Sequence, residues 1–192
     1  MHILKHGLVF LLACGLALGL FARESQAQIV ISAGPSVSVP LGEIADSGTG
    51  GVSVTTGWSL KGFVGYELPV PLVKATVLVT GGYTMLPTDP PDIGNADLNI
   101  TQCLAGARLG LGGFIQPSLM LAVGYGWVSG EGSDYTLSHD GLSVLAGLGV
   151  EFTGVPLFDI GLHTDYNQLH YADGGGVDYQ WVDIGLTLAR RF

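Results

Sequence analysis

From residue 28 to residue 192 the chain alternates apolar positions with small or polar ones at a period of two. Successive side chains on a strand point to opposite faces, so this period predicts strands with one apolar face. The pattern recurs eight times, over 28–41, 51–68, 73–87, 98–113, 119–130, 141–153, 158–170 and 177–192, divided by clusters rich in Gly, Pro, Asp and Asn. No stretch sustains a helical period, so the expected fold class is all-β.

The connectors follow a second alternation. Long polar segments, "GEIADSGTGG", "TDPPDIGNAD", "EGSDYTLSHD" and "YADGGG", come after odd-numbered strands, and "PVPL", "FIQPS" and "TGVP" come after even-numbered ones. Tight turns at one end and longer loops at the other make an up-and-down meander, the layout of an eight-stranded antiparallel transmembrane β-barrel. An even strand count puts both termini at the tight-turn end, the periplasmic end of such a barrel.

Parity then assigns faces. Leu119, Leu121, Val123, Tyr125 and Trp127 oppose Met120, Ala122, Gly124, Gly126 and Val128; Leu142, Val144, Ala146, Leu148, Val150 and Phe152 oppose Ser143, Leu145, Gly147, Gly149 and Glu151. The first set of each pair suits lipid, and the second suits a narrow lumen with room for small side chains and a few long ones. The weak alternation of 98–113 is resolved by Arg108, which would cost ~2–4 kcal/mol facing lipid near mid-depth. Arg108 is therefore expected inside, with Cys103, Ala105, Ala107, Leu109 and Leu111 outside and Cys103 acting as a small hydrophobe. Outward parity also gathers Tyr83, Tyr125 and Trp127 towards the long loops and Tyr66, Phe152 and Phe192 towards the short turns, as two aromatic girdles would require.

The inward parity collects Lys61, Glu67, Lys74, Arg108, Glu151, Asp159, His163, Asp165 and Asp183. An unpaired buried charge is costly, so Lys61, Arg108, Glu151, His163, Asp165 and Asp183 are expected to form a structural ion network that partly plugs the lumen. Of these, Lys61, Arg108, His163, Asp165 and Asp183 are placed at one middle depth. The rival reading is a proton- or metal-binding cluster of His163, Asp165 and Asp183, which can converge, although a single His makes a poor transition-metal site. The loop residues Asp89, Asp92, Asn95 and Asp97 lack the spacing and terminal Glu of an EF-hand and read as turn formers. No metal or other cofactor is expected.

Composition narrows the setting. The chain is 47% hydrophobic and 12% charged, oily for a secreted soluble domain, yet beyond residue 27 no segment is long enough for a spanning helix. Residues 1–27, "MHILKHGLVFLLACGLALGLFARESQA", have Lys5 in a short leader, an apolar run over 7–22 and small residues Ser25 and Ala27 before a cut. That is the pattern of a cleaved signal peptide, leaving 28–192 as the barrel; lipid attachment at Cys14 in "LLAC" is the alternative. Loss of Lys5, Arg23 and Glu24 takes the formal net charge from −9 to −10, which argues against a nucleic-acid partner. Cys103 is then the remaining cysteine, so no intramolecular disulfide is expected.

The closing stretch "DIGLTLARRF" puts Ile184, Leu186, Leu188 and Phe192 on the lipid face together with Val182. It resembles the C-terminal signal by which outer-membrane barrels are recognised for assembly, with one departure at Arg190, where such signals usually carry an aromatic. Close to the strand end, Arg190 can extend into the headgroups. With the opening "ISAGPSVSVPLGE", residues 28–192 resemble the outer membrane protein β-barrel domain family, small eight-stranded barrels of the OmpA and OmpX type. The resemblance implies the outer membrane of a Gram-negative-type bacterium and contacts with lipid, lipopolysaccharide and the barrel-assembly machinery. It further implies a monomer with a structural or surface-interaction role. A narrow pore for small solutes and a periplasmic lipocalin-like binding barrel are the alternatives, the latter needing an apolar interior and a polar exterior. Catalysis is not expected. Lipid A deacylases of this barrel type carry His-x-Ser-Asn on a late strand, whereas here His163 precedes Thr164 and Asp165, and His170 precedes Tyr171 and Ala172. The chain has no P-loop, HExxH or GxSxG.

Overall fold

Alternation of this kind closes into a ring when each strand finds two neighbours. In the computed structural model, which describes residues 28–45, 53–68, 70, 73–89, 97–131, 136–155, 157–171 and 178–192, it does so. The strands are β1 (Gln28–Leu41), β2 (Ser53–Val54), β3 (Gly57–Leu68), β4 (Val73–Leu86), β5 (Thr88–Asp89), β6 (Leu98–Leu111), β7 (Ile115–Glu131), β8 (Thr136–Phe152), β9 (Asp159–Tyr171) and β10 (Tyr179–Arg191). The eight long strands form a closed antiparallel barrel in the order β1-β10-β9-β8-β7-β6-β4-β3. Each lies beside its neighbours in sequence, and β1 seals the ring against β10 from Val30↔Arg191 to Leu41↔Gln180. A single 3-10 turn, Gly42–Ile44, follows β1.

Departures from the expected boundaries have local causes. The strand expected over 51–68 divides, because β2 leaves the barrel ladder to pair with β5 as a separate ribbon. Register slips by one residue between Trp58↔Met85 and Val54↔Thr88, as at a bulge. Pro87 sits at the slip, where it has no N–H to give the ladder but its carbonyl accepts from Thr55 N at 2.8 Å. β7 starts at Ile115 rather than 119 and takes Pro117, paired with Val150, into the wall. β8 starts at Thr136 rather than 141, so the β7–β8 hairpin extends to Glu131↔Thr136. Ladder hydrogen bonds suffice to carry such an extension, and it needs no apolar face of the kind that periodicity detects.

The faces follow parity throughout. Leu121, Leu148, Leu162 and Leu186 are 53–60% exposed in the middle of their strands, so the outer wall is an apolar band. Ala105, Ala107, Leu109 and Leu111 share that wall with half-buried Cys103, and Arg108 points inside. No helix among the described residues is long and apolar enough to cross a membrane; the elements suited to crossing are strands. The interior is filled by side chains in layers.

A layered lumen as the candidate functional site

At the long-loop end of the barrel, inward positions of β4, β6, β7, β9 and β10 bring Leu86, Leu98, Ile100, Val128, Leu169 and Trp181 into one buried apolar cluster. Trp181 is fully buried. The neighbouring inward position on β7 is Gly126, where a Cβ would stand 2.4 Å from Leu169 Cδ1, so glycine is what lets Leu169 reach across. The indole tip of Trp181 points down the lumen, and its Nε1 donates to Asp183 Oδ2 at 3.2 Å.

Below this layer lies a polar one centred on Asp183, which is fully buried. Its Oδ1 accepts from Ser38 Oγ at 2.5 Å and from Ser59 Oγ at 3.1 Å. Asn167 Nδ2 donates to Oδ2 at 2.8 Å, and Lys61 Nζ forms an ion pair with the same oxygen. Lys61 also reaches Asp165 Oδ2 at 3.5 Å and donates to Asn167 Oδ1 at 2.9 Å. One ammonium thus serves two carboxylates, while hydroxyl, amide and indole donors fill the remaining lone pairs of Asp183, the condition under which a buried charge is tolerated. Gly147 makes room for this group, since a Cβ there would lie 2.3 Å from Asp165 Oδ1.

His163 joins from the next inward position of β9, its Nε2 3.0 Å from Ser36 Oγ and 3.5 Å from Asp165 Oδ2. A serine beside a histidine is the start of a nucleophile–base pair, but here the carboxylate shares the nitrogen that faces the serine. Among the described residues Nδ1 has no protein partner, so none of them stands where acyl transfer would need a group to orient the ring. Nδ1 and the equally unpartnered Ser32 Oγ belong to residues lining a cavity of ≈ 50 Å³ bounded also by Lys61, Phe63, Arg108 and Glu151. At about 10–15 Å³ for one water, this space suits several waters, which would satisfy both atoms. Beside it, Leu104, Ala122 and Leu145, with Met120 packed against them, form a second small apolar cluster.

A third layer fills the short-turn end. Arg108 pairs with Glu151 at 2.6 Å and donates to Ser118 Oγ at 3.0 Å, with its guanidinium 5.7 Å from the centre of the Phe63 ring. Arg191 pairs with Glu67 at 3.2 Å, with Glu151 at 3.1 Å and with Asp159. Lys74 lines a smaller cavity of ≈ 10 Å³ beside the same groups. Three cations, Lys74, Arg108 and Arg191, face three carboxylates, Glu67, Glu151 and Asp159, so this layer is balanced in formal charge.

The expectation of one middle-depth cluster is corrected in this respect. Lys61, His163, Asp165 and Asp183 meet, whereas Arg108 pairs with Glu151 and Ser118 in the lower layer. Arg108 and Glu151 sit close to the short-turn ends of their strands, at Leu111 of β6 and Phe152 of β8, whereas Lys61, Asp165 and Asp183 lie further from the ends of theirs, at Leu68, Asp159 and Arg191. Sequence reasoning missed Arg191, although its parity with Asp183 would have placed it inside. It also missed Asn167, Ser38, Ser59 and Trp181, which carry no charge to attract notice.

On the outer wall, Tyr83 is paired with Trp58, ring centres 5.7 Å apart, and Tyr125 with Trp127 at 5.3 Å, all towards the long loops. Trp58 shares the parity of Tyr66 and was not among the expected aromatics. Tyr83 donates to Asn99 Oδ1 at 2.5 Å and Tyr125 to Asp140. Phe152 and Phe192 are exposed and Tyr66 is half-buried towards the short turns. Ile184, Leu186 and Leu188 are 49–57% exposed on β10, and Phe192 closes the ring through backbone bonds with Ile29. The signal peptide expected over 1–27, Cys14 and the loop residues Asp92 and Asn95 lie outside the described residues. Among the described residues, no group of three or more His, Cys, Asp or Glu side chains could hold a metal ion.

A closed eight-stranded barrel with an apolar exterior and a charged, layered interior is a barrel of the outer-membrane class. The chain belongs to the outer membrane protein beta-barrel domain family, whose model matches residues 9–192. Its fold is similar to that of neisserial surface protein A, with a TM-score of 0.58 at 13% identity over 88% of this chain and 100% of that one. The outer membrane protein OprG from Pseudomonas aeruginosa gives 0.58 at 12% identity over 86% and 96% of the two chains. Ail, the attachment invasion locus protein of Yersinia pestis, gives 0.52 at 18% identity over 88% and 100%. Identities this low speak to the fold alone. Comparison with curated proteins found no match.

Proposed function

We propose that this protein is a closed outer-membrane scaffold with a structural or surface-interaction role, its lumen plugged and its long loops displayed outside the cell. The observation that carries this reading is the fully buried Trp181 in an apolar layer across the long-loop end of the lumen. Ions entering there would have to shed water against Leu and Ile side chains, and the cavities among the ion-paired layers beneath are ≈ 50 and ≈ 10 Å³. In this reading residues 1–27 are removed on export, Ile184, Leu186, Leu188 and Phe192 engage the assembly machinery, and the short turns face the periplasm. The girdle of Tyr66, Tyr83, Tyr125, Trp127, Phe152 and Phe192 then meets lipid on one side and lipopolysaccharide on the other. The barrel works as a monomer and carries out no catalysis. The surface role draws on the likeness to a neisserial surface protein and an attachment invasion locus protein. A lipocalin-like soluble barrel has the opposite need, a polar exterior around an apolar interior, and the exposed leucines of the wall weigh against it.

The cavity beside His163 favours the narrow pore as the second reading, because it is space for several waters among charged lumen side chains. Conductance separates the two. In planar lipid bilayers the purified wild-type barrel is expected to stay silent. A wild-type barrel that conducts steadily at low voltage would replace the scaffold with the pore.

A further inference from the structure

Residues 28–192 contain five cations, Lys61, Lys74, Arg108, Arg190 and Arg191. Four of them face the lumen, where Lys61, Arg108 and Arg191 are held by carboxylates and Lys74 lines the lower cavity. Arg190 is on the outside, exposed, next to the apolar lipid face of β10. Among the described residues no carboxylate forms an ion pair with it. Aromatic rings flank it instead, with its guanidinium carbon 4.7 Å from the centre of the Phe192 ring and 5.9 Å from that of Phe158.

The surroundings are unusual for a turn region. Phe114 and Leu157, in the turns after β6 and β8, are 66% and 71% exposed, and Val155 and Phe158 are exposed beside Leu157. The two turns are tied together. Thr153 N donates to Phe114 O at 3.1 Å, Thr153 Oγ1 donates to Gly113 O at 3.1 Å, and the Phe114 ring lies where a Cβ on Gly154 would be. Leu157 has φ 79°, a left-handed conformation that non-glycine residues seldom adopt. The apolar wall thus continues past the strand ends into this rim, with a single cation set in it.

We infer that Arg190, flanked by Phe158 and Phe192, binds the phosphate of a phospholipid in the periplasmic leaflet, the lipid body resting on the apolar rim. The leaflet follows from the orientation proposed above. A guanidinium presents a planar fork of donors that matches two phosphate oxygens. Ring contacts hold that plane and reduce the side-chain freedom lost on binding. Without an ion-paired carboxylate of its own, Arg190 prefers a headgroup with net negative charge.

The test is a titration of the folded barrel in non-ionic detergent micelles, following the Arg190 Nε–Hε signal by NMR. Phosphatidylglycerol is expected to shift it saturably, while diacylglycerol with the same chains and millimolar inorganic phosphate leave it in place. By backbone signals of residue 192, Arg190→Gln is expected to weaken phosphatidylglycerol binding about tenfold or more, the scale of one charge-assisted hydrogen bond. Phe158→Leu, which keeps the charge, is expected to weaken it by a smaller factor. An equal response to diacylglycerol, or unchanged affinity in R190Q, overturns the site. So does an R190Q barrel that binds lipid normally but inserts slowly through reconstituted assembly machinery, since Arg190 would then serve a protein partner. Micelles have no sidedness, so orientation is tested apart, by antibody access on intact cells to an epitope inserted within 91–96. Access is expected; an epitope reached only from the periplasm would remove both the orientation and the leaflet assignment.

Discussion

Asp165 and Asp183 stand directly opposite each other on β9 and β10, an arrangement of like charges that destabilises a sheet unless something resolves it. Lys61 from β3 resolves it by reaching across the lumen to both. Lys61→Met leaves two adjacent buried carboxylates with no cation, and is expected to cost ~3–5 kcal/mol, read from urea unfolding in lipid vesicles. Gly147→Ala tests the space around the same group. Its Cβ would come within 2.3 Å of Asp165 Oδ1, so the side chain must move off Lys61. An overpacking loss of ~1–3 kcal/mol in the same measurement is expected. At this scale the sequence exposed the charges and hid the donors. Ser38, Ser59 and Asn167 are indistinguishable by pattern from any small polar lumen residue, and only contact with Asp183 gives them a task.

Strands were legible where one face touches lipid, because there the period of two is under physical constraint. β1 runs over the residues expected of it, and β9 and β10 end within two residues of theirs. The β7–β8 extension and the β2–β5 ribbon were not legible, since ladder bonds alone hold them and any polar sequence can supply those. Parity itself makes two predictions for the elements. Leu186→Arg, on the lipid face of β10, is expected to cost ~2–4 kcal/mol in reversible unfolding from bilayers. With each tryptophan left in turn as the sole one, brominated phospholipids are expected to quench Trp58, which is 50% exposed on the wall, and to spare fully buried Trp181.

The whole barrel is drawn together by residues whose partners are distant in the ring. Arg191 links β10 to Glu67 on β3, Glu151 on β8 and Asp159 on β9. Its sequence neighbour Arg190 faces the opposite way, so one residue of parity separates a lumen clamp from a lipid-facing cation. Arg191→Met is expected to lower the temperature at which the folded gel band converts to the unfolded one, consistent with a loss of ~3–5 kcal/mol for a broken buried pair. Arg190→Gln, away from the packed lumen, is expected to leave that temperature nearly unchanged, within about 0.5 kcal/mol.

Inside and outside were decided by the sequence alone, because parity is a property of one strand and lipid accepts only one of its faces. Unequal connector lengths likewise settled the meander, and the even strand count put residues 28 and 192 at the same end. Which inward charges meet could not be decided in that way. The height of a residue in the lumen depends on the stagger accumulated around the closed ring, and neither tilt nor closure is written along a single strand. The closed ring therefore gave Arg191 its three carboxylates and set Trp181 across the long-loop end of the lumen.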